Sequence, residues 1–508
     1  MKDNRFPDAS TDTTPLLESP LPPPAYPAVM ALDKNAIDGP SNELDGYDSG
    51  PSKDLEEAGV VPAAVHLHHR PNTPWSRGKV VRLLLIISAH AILVWLILAA
   101  AWDRTSRKGH VEPNVPPGMG TPHIPQYCQK LHSRSSEYEF GNLDELSIDE
   151  QIRPYRERHH DIRGLISLVP ATNEHETKIR AKVTISNNFP HADVTAEKSD
   201  TGLLIRSKSS DASHPWHERD CTVVDVLVSV PVGTTLTSLD ITSNWLSVDI
   251  HRLLDLSLDA LTLDLLAGGA DSKAPIPSRR TRINRALGAV TGSWALLDLL
   301  EIRTTAGMVD VAIVPGKADP ARPLPAVFDA RSTAGSVNAI FPTTDAALPD
   351  RVYRTAVRTD AGAIRGTYVL GEEASFESRS GGIHVTALPF DAEKRSSLRS
   401  SNGAGQSIVE VLRPLHGREG EAWRNVSAEF SSAVGQVKVG FPEEWEGVVS
   451  ADTRVGSVRV QGKGLQVVGE GTHGPIGGWV RAVKGEQGSE VVVKSQTGAV
   501  EFVVGDTW

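Results

Sequence analysis

The sequence predicts a mainly β ectodomain, β-solenoid-like or an irregular β-sandwich, after one transmembrane helix and a disordered N-terminal tail. Three observations predict it: a Ser/Thr-x-x-Gly-x-apolar unit that recurs seven times after residue 300, an uncharged apolar run at 83–102, and a Pro-rich acidic stretch ahead of that run. The division expected is a cytosolic tail at 1–78, a membrane span at 79–103, a stalk at 104–160 and a β-repeat domain at 161–508.

The tail holds 12 of the 34 prolines and sets 12 acidic residues against 6 basic ones. Such a segment lacks the apolar periodicity to recover its ordering entropy by burial, so it is expected to be disordered. Pro23, Pro24 and Tyr26 form a PPxY ligand of the kind that docks in the aromatic groove of WW domains of ubiquitin ligases. Asp12, Leu16 and Leu17 match an acidic dileucine signal of the kind read by adaptor complexes. Both motifs work only from the cytosol. A trafficking adaptor or a ubiquitin-ligase-regulated cargo is therefore one functional class.

Residues 83–102 read LLLIISAHAILVWLILAAAW. At about 1.5 Å per residue this helix reaches about 30 Å, the depth of a bilayer core, and Trp95 and Trp102 suit its interfacial end. Its start after more than eighty residues makes it an uncleaved signal-anchor. Arg70, Arg77, Lys79 and Arg82 before the span outnumber Arg104, Arg107 and Lys108 after it, which favours a cytosolic N-terminus and a type II protein in the plasma, endosomal or vacuolar membrane. Cys128 and Cys221 and the glycosylation sequon at Asn425 then fall on the extracytosolic side, where the two thiols can pair or stay free.

Beyond residue 160 the chain consists of short β-branched runs separated by Gly, Pro, Ser and Asp. The recurrent unit places its turn glycine at Gly307, Gly335, Gly362, Gly381, Gly435, Gly456 and Gly498, with intervals of 28, 27, 19, 54, 21 and 42 residues. A divergent copy at 242–250 has Leu246 in the glycine place. The two long intervals are near twice the short ones, as if a copy had decayed or a loop had entered each. The spacing suits a strand that ends, a backbone turn where a Cβ is excluded, and a second strand that restarts in register. Repetition of this length suggests stacked coils.

These units, preceded by VPVGTTLTSLDI at 230–241, resemble the adhesin-type β-repeat domain found in bacteria and fungi. A Pro-rich tail and single anchor before such a domain are similar to membrane proteins of filamentous fungi. The resemblance covers 162–508 and implies a solenoid-like fold with a binding or surface role and no catalytic residues to carry over. A Pro-rich, basic insertion at 270–285 departs from the uniform repeat.

Chemistry is less legible. A net charge of -11, from 52 basic and 63 acidic residues, argues against a nucleic-acid partner. The histidines at 66, 68 and 69, the His159, His160 and Asp161 group, and His214, His217, Glu218 and Asp220 lack metal-ligand spacing, so no metal or cofactor is expected. No nucleophile elbow or phosphate loop is present, so the chain is read as a non-enzyme that binds a glycan or protein outside the cytosol. A polysaccharide-active enzyme is the alternative. Asp249, Asp310 and Glu501 beside the repeat strands are its only carboxylate candidates, and nothing in the sequence pairs them.

Overall fold

A computed structural model describes residue 128 and residues 131–141, 143–153, 161–173, 175–188, 194–207, 221–417, 420–486 and 488–505. All belong to the second of two compact units, 115–508. The expected tail and span, with Asp12, Leu16, Leu17, Pro23, Pro24 and Tyr26, lie outside the described residues. Among the described residues no helix is long and apolar enough to cross a membrane.

The described strands form two large sheets, sheet I with 15 strands and sheet II with 16. From Thr234–Ser243 onward the chain alternates between them: Thr234–Ser243 in sheet II, Ser247–Ile250 in sheet I, Leu256–Leu265 in sheet II, Ala270–Ser272 in sheet I, and so on. Apart from one C-terminal hairpin, neighbouring strands within each sheet along this stretch run parallel and in register. One face of each strand is buried against the other sheet, as in Val309–Pro315, where buried and exposed residues alternate strictly. Aromatic rings thicken the core toward the C-terminal half. Phe328, Phe341, Tyr368 and Phe376 meet at centroid distances from 4.9 to 6.4 Å, and Trp445 packs on Phe441 and Phe502.

The strands begin earlier than the expected domain boundary. His132–Phe140 pairs antiparallel with Ile179–Asn187, and Glu145–Gln151 pairs parallel with Thr234–Ser243. Residues assigned to a stalk at 104–160 therefore contribute strands, because ELSIDEQ alternates as sheet II requires. Cys128 is bonded to Cys221 across 93 residues, with Cα atoms 5.9 Å apart. Buried Glu150 ties its strand to the turn after Thr234–Ser243, where its carboxylate accepts N–H bonds from Ile152, Asn244 and Trp245 and the hydroxyl of Ser243.

The turn glycines form a ladder. A Cβ on Gly335 would lie under 3.0 Å from the carbonyl oxygen of Gly307, and one on Gly362 would meet Gly335 in the same way. Gly381, Gly405, Gly435, Gly498 and Gly456 continue the series, each against the carbonyl of its neighbour. Close backbone approach excludes any side chain here. Gly435 adds a φ of 142°, a region that side chains avoid. The Ser or Thr three residues before each glycine points inward. Thr359 donates to the Gly362 carbonyl at 3.0 Å, Ser495 to that of Gly435 at 3.2 Å and Thr453 to that of Gly498 at 2.9 Å. The residue two after the glycine forms a single column, buried from Val248 through Val309 and Ile364 to Val500 and half-buried at its last member, Val458.

The ladder resolves both long intervals. Between Gly381 and Gly435 stands Gly405, a decayed copy in which Asn402 replaces the hydroxyl residue and Ser407 the apolar one; Asn402 still donates to the Gly381 carbonyl at 3.0 Å. Between Gly456 and Gly498 a hairpin has entered, made of Gln466–His473 and Gly477–Lys484. Two further copies turn at Gly268 and Gly288, and Leu246 holds the next corner. Residues 270–285 are therefore no insertion. They supply Ala270–Ser272 and most of Ser278–Leu287 at ordinary register. The copy at Gly288 escaped notice because Arg285 takes the Ser/Thr place, with Nε and Nη2 on the Leu287 carbonyl and a pKa pushed down to about 10 by burial. The last pair of strands is out of chain order. Ser489–Thr497 inserts between Val426–Val434 and Gly447–Val455, parallel to both.

Gly362→Val is expected to destabilise the fold by about 3 kcal/mol or more, because the obstacle is backbone that cannot withdraw. Gly141→Ala, with nothing near its Cβ, should be close to neutral. Urea midpoints of the two variants check this.

Candidate functional site

If the residue three before each turn glycine faces inward, those at four and two before it face outward. On sheet II these outward columns line one groove with a volume of about 1710 Å³. It runs along the stack from the strand Thr234–Ser243 to the hairpin strand Gly477–Lys484, a span of about 50 Å at about 4.8 Å per strand.

The central part is basic. Arg303, Arg331 and Arg358 stand on three successive strands at the same register, each side chain about half exposed. Carboxylates interleave with them. Glu301 holds Arg303 and also Arg282 at 3.3 Å, Asp329 holds Arg331 at 2.7 Å, and Glu377 holds Arg358 at 3.4 Å. Asp360 and Arg379 pair at 3.3 Å one column over. Thr305 and Thr333 add hydroxyls beside the row. Exposed pairs of this kind contribute only about 0 to 1 kcal/mol each, and like charges on facing positions of a sheet oppose pairing. The row is thus not what holds the strands together. Toward the C-terminal end the floor turns to Ser401, Ser431 and Lys494, and the hairpin closes it with Trp479, the only aromatic residue on the described lining.

The outward face of sheet I carries the carboxylates noted from the sequence. Asp249, Asp310 and Glu501 fall in one column. Asp249 has Asp271 beside it, a neighbour that sequence reading missed, and Thr291 donates to Asp271 at 2.9 Å. Asn338 binds Asp310 at 2.7 Å, and Glu501 lies several strands away near Lys438, so the three do not converge. Burial raises the Asp249 carboxyl above 3.8, with Asp271 adding to the rise and Lys273 and His251 opposing it. Among the described residues no group of His, Cys, Asp and Glu has the geometry of a metal site. Of the histidine clusters, only Asp161 is described, and it pairs with Arg163 at 2.8 Å. Asn425 is exposed, and its amide donates to the carbonyls of Ala392 and Glu393 at 3.1 Å.

The groove residues were missed because the repeat was recognised by its constant positions. The groove's lining comes from the variable ones beside them. Aligning the seven copies on glycine and reading four places back gives Arg303, Arg331 and Arg358 in succession, and this signal was available.

No family profile matches the chain, and neither does any curated protein. Among solved structures it is similar to a candidate cell adhesion protein from Clostridium sporogenes, at 10% identity over 73% of this chain and 100% of that one, TM-score 0.14. A candidate adhesin from Parabacteroides merdae matches at 11% identity over 60% of this chain and 92% of that one, TM-score 0.18. Another from Parabacteroides distasonis matches at 11% identity over 73% and 97%, TM-score 0.16. Overlaps this low leave the functional reading to the residues of the groove.

The raised Asp249 pKa sets a sign. As pH rises, the unfolded chain loses this proton first, so ionising the folded carboxyl costs stability above about pH 4 and costs nothing below it. Asp249→Asn is expected to melt at a higher temperature than the parent at pH 7, and the gain should vanish near pH 3, as thermal unfolding at the two pH values would show.

Proposed function

We propose that this chain is a binding protein whose repeat domain holds an extended ligand in the sheet II groove. The carrying observation is the row of Arg303, Arg331 and Arg358 with interleaved carboxylates, on a surface where folding gains little from them. Alternation of the strands between two sheets, with parallel pairing to the next strand but one, supports reading the domain as a β-solenoid with the groove along one face. A ligand with a repeating backbone suits contacts repeated at each strand, so a glycan or an extended protein segment of the extracytosolic surface is the natural class. In this reading residues 79–103 anchor the protein in a membrane, the tail at 1–78 stays cytosolic and open to WW-domain ligases and adaptors, and the Cys128 to Cys221 bond belongs with an oxidising compartment. A mobility shift on glycosidase treatment that disappears in Asn425→Gln would place the domain outside the cytosol; full digestion by protease added to sealed organelles would overturn that placement.

The groove is tested by presenting the full-length chain to an array of polysaccharides and extracellular-matrix proteins. The double variant Arg331→Glu/Arg358→Glu should bind its ligand about tenfold more weakly or worse. Arg365→Glu, exposed on sheet I, should bind as the parent does. Equal binding by all three overturns the groove.

A further inference from the structure

The groove ends on an inserted element. Seven of the turns follow one another without interruption from Gly288 to Gly435, whereas Gln466–His473 and Gly477–Lys484 enter the array as an antiparallel hairpin that adds two strands to sheet II alone. The hairpin extends no column of the core on the sheet I side. Apart from Ala482, which joins the core beside Val449, what it adds is a surface, and Trp479 is the largest side chain on it.

Trp479 is 38% exposed and lines the groove. Its ring lies across the neighbouring strand at two glycines. A Cβ on Gly469 would come within 3.2 Å of the six-membered ring, and one on Gly471 would reach 2.5 Å from Nε1. Any side chain at 471 would tilt the indole off the strand. The pair of glycines therefore makes room for the indole against this strand, while the ring stays partly exposed in the groove. Register places Trp479 opposite Asp452, and Asp452 stands beside Lys494 on the next strand. Asp452 is held by His473 at 2.6 Å, which fixes the hairpin to the sheet and orients the carboxylate beside the ring. Arg481 follows on the same face as Trp479.

Resting on the groove reading above, we infer that Trp479 is a stacking platform for a pyranose ring, so that the groove's ligand is a polysaccharide. The axial C–H bonds of a sugar carry partial positive charge and lie against the negative face of an indole, while the equatorial hydroxyls point sideways to donors and acceptors. The surroundings supply both: Asp452 accepts, Lys494 and Arg481 donate, and the paired arginines and carboxylates farther along continue the same alternation. A polyanion would need uncompensated cations, and each of Arg303, Arg331 and Arg358 already holds a carboxylate. A protein hot spot centred on a tryptophan sits in a well-packed, fully desolvated pocket, whereas Trp479 lies on an open strand among charged residues.

The test is affinity electrophoresis of the full chain through gels containing laminarin, xylan or galactomannan, with thermal unfolding to confirm that each variant folds. At least one polymer should retard the wild type. Trp479→Ala should weaken that binding about tenfold or more, Trp479→Phe should keep most of it, and Gly471→Val, which retains the indole but displaces it, should lose several-fold. If Trp479→Ala binds as the parent does while Arg331→Glu/Arg358→Glu does not, the platform is overturned and the groove stands. If none of the three polymers binds but a matrix protein is captured through the arginine row, the sugar assignment is overturned and the groove again stands. If the wild type retains none of these probes, both fall.

Discussion

The structure depends on how closely consecutive corners of the chain approach one another. At each corner a carbonyl oxygen fills the space where the next corner would place its Cβ, so glycine is imposed by the stacking itself. Once the corners are locked at that separation, the strands on both sides have no freedom to slip. A shift of one residue would turn every buried valine of the column from Val290 through Val337 and Val437 to solvent. At Thr359, Thr453 and Ser495 the inward hydroxyl three places earlier adds a bond to a corner carbonyl, worth about 1 kcal/mol.

Register converts a short motif into long rows. Because each strand repeats the phase of the last, an outward side chain stands about 4.8 Å from its counterpart on the next strand, and the same position in successive copies builds a column. On sheet II one such column is rich in arginine; Glu301 and Asp329 pair with it from the adjacent column and Glu377 from within the same one. On sheet I the corresponding column is acidic at Asp249, Asp271 and Asp310 and basic at Arg365 and Lys438. Neither row contributes to the core. A surface of this sort is free to vary with the ligand while the corners remain constant, and this freedom makes a repeat array suited to binding.

The C-terminal end departs from the plain stack in two linked ways. A hairpin has entered after the corner at Gly456, and the final strand pair returns to lie between the two preceding strand pairs instead of beyond them. The strand Gly447–Val455 therefore has Ser489–Thr497 on one side and the hairpin on the other. This arrangement sets Trp479, the one aromatic residue among the described lining, at the groove's end and covers an edge that would otherwise be open for pairing.

The repeat and its period, the β class and the turn glycines were legible in the sequence because each is a local pattern: a φ requirement, a blocked Cβ, an alternation of apolar residues. The same local reading left the copies at Gly268, Gly288 and Gly405 unseen. There Leu265, Arg285 and Asn402 replace the hydroxyl residue, and the place is kept by register with neighbouring strands that the chain reaches only after twenty residues or more. It also left open which long interval held a decayed copy and which an inserted hairpin, since both add similar length. Which residues line the groove, the joining of Cys128 to Cys221, the meeting of Asp249 with Asp271, and the return of Ser489–Thr497 between earlier strands were decided by the tertiary structure alone. Each is a contact between residues far apart in the chain, and only the stacking of corners brings them to the same place.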